Sequence, residues 1–133
     1  MAVGIHILAD MYGIEPELLE RKESLMEIIE RSIRVGNLTK ISSDYYQFEP
    51  MGASGIVLLA ESHISFHTWP EYGMIALDLF TCGDPEKADI AFEYIRDKLK
   101  PTEIQFNKHE RGSRVASSES VQPAASQFAS SLQ

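Results

Sequence analysis

The sequence has little cysteine, and this excludes a fold held together by disulfides. Its 133 residues include one cysteine, Cys82, which has no partner for a disulfide within the chain. Small secreted domains commonly depend on several disulfides, so we expect a cytoplasmic protein in a reducing environment. Long apolar runs are also absent, because the longest uncharged one, residues 55–60, is far shorter than the roughly 20 residues of a membrane-spanning helix. We therefore expect neither a membrane span nor a targeting segment.

Positive charge is scarce, and this argues against nucleic acid as a partner. The chain has 12 Lys and Arg residues against 20 Asp and Glu residues, a formal net charge of −8 and a pI near 4.9. That sign is wrong for a surface that binds phosphates. An acidic surface suits a cationic ligand such as a polyamine or a sulfonium compound, although ordinary cytosolic proteins are often equally acidic.

The composition predicts one globular domain followed by a tail. Hydrophobic residues make up 44% of the chain and charged residues 24%, which is close to the average of folded proteins. We predict that residues 1–112 form the domain. Residues 113–133 are rich in Ser and Ala, carry few charges and show no hydrophobic period, so we predict a disordered tail there.

Hydrophobic spacing predicts six strands and two helices. The first helix is expected to begin at Glu15-Pro16-Glu17 and to end at Gly36-Asn37, since Pro favours the first helical turn and Gly or Asn the position after the last. The second is expected to begin at Asp84-Pro85-Glu86 and to end before Pro101. Strands are expected at residues 3–9, 38–48, 55–60, 63–68, 74–80 and 103–108.

The order of these elements predicts an α+β fold. It is a two-layer sandwich, in which a mostly antiparallel sheet carries two helices on one face. The apolar composition of residues 55–60 is typical of a buried strand. The second sheet face then needs a cover, and because symmetric dimers are the commonest oligomers, a second copy of the chain is a reasonable one.

Several polar residues between 54 and 84 could suggest a metal site. His63 and His67, together with Glu61 or Cys82, are residue types that bind zinc. On a strand, however, side chains four residues apart begin roughly 13 Å from each other, so the two imidazoles do not reach one ion. We predict no metal.

Taken singly, other candidates have ordinary structural interpretations. Ser54 lies between two glycines, as a turn residue would, and Cys82 follows an apolar strand, as a buried small side chain would. Phe48 could be a core aromatic at a strand end, and His6 has no evident partner and is treated as structural. Composition and spacing alone therefore do not name a reaction.

Two ordered motifs do carry a resemblance. The first is Ala-Glu-Ser-His-Ile-Ser-Phe-His-Thr-Trp-Pro-Glu-Tyr-Gly at residues 60–73, and the second is Phe-Thr-Cys-Gly-Asp at residues 80–84. Together they closely resemble the prokaryotic S-adenosylmethionine decarboxylase proenzymes, which generate their own pyruvoyl cofactor. The resemblance extends from Gly4-Ile5-His6 to His109-Glu110-Arg111-Gly112, and so covers nearly all of the chain except the tail.

The resemblance implies that the chain cleaves itself. The bond between Glu61 and Ser62 would break to give residues 1–61 as the β chain and residues 62–133 as the α chain. Ser62 would become the pyruvoyl group, whose keto carbon forms a Schiff base with the substrate amine. His67 would be the proton acceptor during processing, and Ser54 would support it by hydrogen bonding.

The resemblance also implies roles in decarboxylation. Cys82 would donate a proton to the α-carbon of the substrate after carbon dioxide leaves. Phe48 and His67 would stack on the two faces of the adenine, and Glu71 would meet the ribose hydroxyls. The product, decarboxylated S-adenosylmethionine, is the aminopropyl donor of spermidine synthesis.

The family places its active sites at a homodimer interface, and side-chain alternation along a strand agrees with this. Ser62 and His67 are five residues apart, so a regular strand directs them to opposite faces. The resemblance implies that Ser62 and Cys82 of one subunit meet Ser54 and His67 of the other. Two alternatives remain open: a pyruvoyl-dependent arginine or ornithine decarboxylase, and an unprocessed binding or regulatory subunit.

Overall fold

A computed structural model describes residues 3–113. Nearly all of the predicted tail, residues 114–133, lies outside the described residues. In chain order the elements are β1 (Gly4–Tyr12), a 3₁₀ turn (Pro16–Leu18), α1 (Lys22–Val35), β2 (Lys40–Gln47), β3 (Ala53–Leu59), β4 (Ser62–Trp69), a second 3₁₀ turn (Pro70–Tyr72), β5 (Met74–Thr81), α2 (Pro85–Leu99) and β6 (Glu103–Arg111).

The six strands form one sheet in the order β2-β3-β4-β5-β1-β6. Each pair of neighbouring strands is antiparallel. The two helices pack against each other and on the sheet, α1 against β2 and β3 and α2 against β5. This confirms the predicted α+β sandwich with both helices on one face.

Burial alternates along the strands, and this divides the sheet into two faces. In β4, Ile64, Phe66 and Thr68 are buried under the helices, while the residues between them are only partly buried. The face turned away from the helices, here called the open face, carries His6, Leu8 and Asp10 of β1, Ser54, Ile56 and Leu58 of β3, His63, Ser65, His67 and Trp69 of β4, and Ala76, Asp78 and Phe80 of β5.

The first helix begins later than the sequence predicted. Residues 16–18 form a 3₁₀ turn, Arg21 is extended, and α1 starts at Lys22. The reason is that the intervening carbonyls bond elsewhere. Leu19 O accepts a hydrogen bond from Thr68 Oγ1 at 2.9 Å, and Glu20 O accepts one from the backbone N–H of Gly52 at 2.9 Å. These bonds replace the next helical turn, so α1 begins only at Lys22 and has 14 residues.

The prediction that residues 55–60 form a buried strand was wrong for two side chains. Ile56 is 51% exposed and Leu58 is 49% exposed, whereas Val57 and Leu59 are buried. The cause is that the helices cover only one face of the antiparallel sheet. Successive side chains of the strand therefore alternate between buried and exposed, even where the sequence is uniformly apolar. Ile56 and Leu58 therefore place apolar surface on the open face.

The second helix begins as predicted. Asp84 is its N-cap, and its Oδ1 accepts a hydrogen bond from the backbone N–H of Glu86 at 3.0 Å. Pro85 occupies the first turn, where a missing N–H costs nothing. Neither this helix nor α1, the α-helices of residues 3–113, is long and apolar enough to cross a membrane.

Thr68 joins three parts of the fold at a buried point. Its hydroxyl is fully enclosed, donates to Leu19 O at 2.9 Å and accepts from the backbone N–H of Ala53 at 2.9 Å. It thus ties the segment before α1 to the first residue of β3 and to β4. Because Ser54 and His67 are the neighbouring residues in these two strands, this link holds the site described below.

We expect Thr68→Val to lower the free energy of unfolding by about 1–3 kcal/mol, because it leaves a buried N–H and a buried carbonyl without their partner. Urea denaturation measures this loss. Thr102→Val is the matched control, since Thr102 is exposed and its hydroxyl makes no hydrogen bond among residues 3–113. Equal stability of the two variants would show that the Thr68 bonds contribute nothing.

Candidate active site

The candidate residues fall into two groups at opposite ends of β4. The group called the turn end consists of Glu61, Ser62, His63 and Cys82. The group called the imidazole end consists of Phe48, Ser54, His67 and Trp69. Ser62 and His67 are five positions apart along the strand, a distance of about 16 Å at the usual rise per residue. One chain therefore does not bring these two side chains together.

At the turn end, the backbone carbonyl of Glu61 is held in place. Ala60 and Glu61 form the turn between β3 and β4, and Glu61 O accepts a hydrogen bond from the backbone N–H of Cys82 at 2.8 Å. This N–H points at the oxygen of the Glu61–Ser62 peptide bond. A donor at that position polarises the carbonyl and can stabilise negative charge that develops on it.

The side chain of Glu61 fixes the turn from the other side. Its Oε1 accepts a hydrogen bond from the backbone N–H of Thr39 at 3.1 Å, and the backbone N–H of Ala60 donates to Thr39 O at 2.8 Å. Burial works against ionisation of this carboxyl group, but the hydrogen bonds from Thr39 outweigh it and hold the pKa of Glu61 below its ordinary value.

Ser62 has an unusual backbone conformation. Its φ of 153° lies outside the regions that L residues ordinarily occupy, and such conformations cluster at functional sites. In this conformation Ser62 Oγ lies 3.3 Å from Nδ1 of the adjacent His63. In a regular strand these two side chains would point to opposite faces.

Cys82 is exposed, so the interpretation of it as a buried small side chain was wrong. The buried position belongs to Thr81, the last residue of β5. The chain leaves the sheet after Thr81, whose Oγ1 accepts a hydrogen bond from the N–H of Gly83 at 3.1 Å. The thiol of Cys82 is therefore accessible to a molecule bound beside the Glu61–Ser62 bond.

At the imidazole end, Ser54 and His67 are direct cross-strand neighbours. Ser54 is a strand residue rather than the turn residue that its flanking glycines suggested. Its Oγ donates to Phe66 O at 3.1 Å, which leaves its lone pairs free to accept a further hydrogen bond. His67 makes no side-chain hydrogen bond to another of residues 3–113, so both ring nitrogens are available to a molecule outside the chain.

Two aromatic rings hold the imidazole of His67. The ring centroid of Trp69 lies 4.3 Å from that of His67, and the centroid of Phe48 lies 5.2 Å from it. Phe48 is 38% exposed and is not a core residue. An aromatic base between Phe48 and His67 needs about 7 Å between the two rings, twice the usual contact distance. The rings would have to separate by about 2 Å to admit one.

An open cavity of about 460 Å³ lies on the open face beside this group. Ser54 and His67 line it, together with the carboxylates of Asp44 and Asp78. Gly55 also lines it, and a Cβ there would come within 2.5 Å of the Phe66 ring, so a larger residue would disturb the wall. The carboxylates favour a positively charged ligand.

The remaining candidates are more dispersed. Glu71 lies in the 3₁₀ turn that follows β4 and is exposed. His63 and His67 belong to different ends of β4, and among residues 3–113 no group of three or more His, Cys, Asp or Glu side chains is placed to hold a metal ion.

The sequence did not indicate two contacts at the turn end. One is the bond from the Cys82 N–H to Glu61 O, which depends on how the end of β5 meets the turn. The other is the approach of His63 to Ser62, which depends on the φ of Ser62. Neither has a signal in residue type or spacing, because both depend on backbone geometry.

His6 has more contacts than its structural interpretation supposed. Its ring stacks on Phe80 with centroids 5.4 Å apart, and its Nδ1 lies 3.3 Å from a guanidinium nitrogen of Arg111. Its Nε2 is buried without a hydrogen-bond partner among the described residues. Burial lowers the pKa of His6, and Arg111, His63 and His109 lower it further, while Asp78 acts in the opposite direction.

Comparisons with known proteins agree with these motifs. The family model described as S-adenosylmethionine decarboxylase matches residues 5–112. The chain is 59% identical over 115 residues to the S-adenosylmethionine decarboxylase proenzyme of Picrophilus torridus and 61% identical over 115 residues to that of Thermoplasma acidophilum, covering in each case 86% of this chain and 88% of the relative.

A relative from Aquifex aeolicus is matched in both sequence and structure. Its S-adenosylmethionine decarboxylase proenzyme is 51% identical over 130 residues, which is 98% of this chain and 95% of the relative. The crystal structure of the adenosylmethionine decarboxylase from that organism superposes with a TM-score of 0.81 at 53% identity, over 84% of this chain and 92% of that one.

We expect His6 to titrate below pH 6.5 in the folded protein. Because its pKa is lowered on folding, the neutral form contributes stability that is fully present above pH 6.5 and is lost as the pH falls from there through the lowered pKa of the folded protein. An NMR titration of the imidazole protons, with His6→Gln to assign the resonance, measures the midpoint. A midpoint at or above 6.5 would contradict the burial argument.

Proposed function

We propose a mechanism for this chain from the premise that it belongs to the S-adenosylmethionine decarboxylase family, whose model it matches over residues 5–112. As a member it is an enzyme that decarboxylates S-adenosylmethionine. Its relatives are named proenzymes, which agrees with a chain that must be processed before it acts. The comparisons give no support to the arginine, ornithine or binding-subunit alternatives.

Self-cleavage at the Glu61–Ser62 bond is the first part of the proposal. The main support for self-cleavage is the hydrogen bond from the Cys82 N–H to Glu61 O. When Ser62 Oγ attacks the Glu61 carbonyl carbon, negative charge develops on that oxygen, and a donor already in place stabilises it. The peptide nitrogen of Ser62 then leaves as an amine, and an ester joins Glu61 to Ser62 Oγ.

The second part of the proposal is elimination of this ester. His67 removes the Cα proton of residue 62, and the bond between Cβ and Oγ breaks, so that Glu61 leaves as a chain end with a free α-carboxylate. Residue 62 is left as dehydroalanine, which takes up water and releases ammonia to become the pyruvoyl group. Ser54 Oγ, beside His67 on the neighbouring strand, supplies a hydrogen-bonding group to this step.

The residues present fit a pyruvoyl group at position 62. This position follows the turn at the end of the sheet, where the adjacent thiol of Cys82 is exposed. The pyruvoyl group supplies a carbonyl that accepts the electrons of the bond broken when carbon dioxide leaves. The chain itself supplies the proton: the neutral thiol of Cys82 protonates the α-carbon of the substrate.

The imidazole end suits the substrate. S-adenosylmethionine combines an adenine, a ribose and a sulfonium cation. Phe48 and His67 provide faces for the adenine, and the carboxylates of Asp44 and Asp78 favour the cation. Glu71 is proposed to accept hydrogen bonds from the ribose hydroxyls. Free arginine and ornithine have neither the base nor the sugar.

A homodimer with shared sites completes the proposal. Ser62 and Cys82 of one subunit act with Ser54 and His67 of the partner, because these pairs lie about 16 Å apart within one chain. Two features of the open face support an interface there: the exposed side chains of Ile56 and Leu58, and the unused ring nitrogens of His67.

The test of this function combines chain mass with carbon dioxide release. We expect denatured, purified protein to consist of residues 1–61 and pyruvoyl-blocked residues 62–133. We expect it to release carbon dioxide from S-adenosylmethionine at least about 100-fold faster than from arginine or ornithine. Ser62→Ala should give one uncleaved chain without activity, and Ser42→Ala, at an exposed position of β2, should behave as wild type.

Two results would contradict the proposal. A wild-type chain that stays whole during prolonged incubation would exclude self-processing. Comparable release from arginine or ornithine would exclude the substrate assignment while leaving the cleavage chemistry intact.

A further inference from the structure

The first step of cleavage needs a base that has not been assigned. A serine hydroxyl is a weak nucleophile until a neighbouring group takes its proton. The partner's His67 is assigned to the Cα proton of residue 62, and the chain's own His67 lies about 16 Å from Ser62 along β4. The Cys82 N–H is a donor and accepts no proton. No group has yet been assigned to the proton of the Ser62 hydroxyl.

His63 is in a position to take this proton. Its Nδ1 lies 3.3 Å from Ser62 Oγ, which is hydrogen-bond distance before any movement toward the transition state. With the imidazole neutral and its proton on Nε2, Nδ1 is an acceptor and the hydroxyl is the donor. This pair is formed within one chain and needs no second subunit.

The ring of His63 is fixed by its neighbours across the sheet. It meets Phe80 of β5 edge to face, with centroids 5.8 Å apart and planes at 86°, and Phe80 stacks on His6 of β1. His63 and Phe80 are direct cross-strand partners, as are His6 and Phe80. Two rings from the neighbouring strands β5 and β1, Phe80 and His6, thus hold the imidazole of His63 where Ser62 approaches it.

The conformation of Ser62 has a consequence for this pair. With regular strand geometry the hydroxyl would lie on the opposite face from His63. The φ of 153° brings the two together, and a non-glycine residue holds such a conformation only where the surrounding structure enforces it. The hydrogen bonds of Glu61 to Cys82 and Thr39 supply that enforcement on the preceding residue.

We propose that His63 is the base that activates Ser62 in the first step of self-cleavage, an inference that rests on the function proposed above. The Oγ–H bond breaks and its proton passes to His63 Nδ1, while Oγ forms a bond to the Glu61 carbonyl carbon. The C–N bond then breaks, and the imidazolium returns the proton to the Ser62 nitrogen. An amide becomes an ester and an amine, with no net loss or gain of protons or electrons.

This assignment divides processing between subunits. Ester formation uses Ser62, His63 and the Cys82 N–H of one chain, whereas elimination requires His67 of the partner. A His67→Ala protein should therefore stop at the ester. Hydroxylamine attacks esters under conditions that leave amides intact, and so releases residues 1–61 as a hydroxamate and residues 62–133 with an unblocked serine.

The experiment measures ester formation in the His67→Ala protein. Newly synthesised full-length chain from a cell-free system is sampled over time, treated with hydroxylamine and analysed by intact mass. His63→Gln and His63→Ala are added to this parent. His109→Ala is the matched control, because it removes another histidine from the same sheet, in β6. Circular dichroism establishes that each protein is folded.

We expect both His63 substitutions to slow ester formation at least about 100-fold, the usual contribution of a general base, and His109→Ala to leave it unchanged. Free imidazole should restore part of the rate in His63→Ala. A packing role alone would not be rescued in this way.

The pH profile provides a second readout. In the parent the rate should rise with pH as the base loses its proton, and this rise should disappear in His63→Gln. Other titratable groups lie around His63: His6, which faces it from β1, and Glu61 in the turn. The charges of Asp78, Arg111 and His109 in turn affect the pKa of His6. If the rate of ester formation still rises with pH after His6→Gln is added to the parent, His6 is not the group responsible and the rise is assigned to His63.

Unchanged ester formation in folded His63→Gln would overturn the inference, as would a large loss that imidazole does not rescue together with a flat pH profile in the parent. A different result is that the wild type is cleaved but the His67→Ala parent contains no hydroxylamine-sensitive bond. It would contradict the ester route in the proposed function, and the role of His63 would fall with it.

Discussion

The length of β4 is the constraint on which the account of the site depends. The strand separates Ser62 from His67 by five residues and holds both rigidly, because it is hydrogen-bonded to β3 on one side and β5 on the other. No side-chain rotation spans about 16 Å. A chemistry that requires both residues must therefore take one of them from another chain, and the open face is where a second sheet could approach.

The two ends of β4 differ in what they need from a partner. At the turn end, the hydrogen bonds of Glu61 and the contact between Ser62 and His63 are formed within one chain. At the imidazole end, the nitrogens of His67 make no bond to residues 3–113, and a cavity with two carboxylates opens beside them. In the proposed mechanism, the turn end carries out a bond-breaking step, and the imidazole end binds a cation and accepts a proton.

The sequence predicted the architecture well and the local geometry less well. Periodicity and caps located both helices and all six strands, because hydrophobic spacing reports which face of an element is buried. The start of α1 was misplaced since the carbonyls of Leu19 and Glu20 bond to distant residues. The exposure of Ile56 and Leu58 could not be foreseen from an unbroken apolar run. At the site, the motifs supplied the candidate residues, whose roles stay predictions, but the contact of His63 with Ser62 depends on one dihedral angle that no residue type specifies.

The most direct test of shared active sites is coexpression of two inactive chains. One carries Ser62→Ala and the other His67→Ala, and their masses identify them. Random pairing puts up to about half of the His67→Ala chains opposite a partner with an intact His67. We predict that this fraction is cleaved after residue 61 without hydroxylamine, whereas neither variant expressed alone is cleaved. Absence of cleavage in the mixture, with mixed dimers demonstrated, would contradict the sharing of sites between subunits.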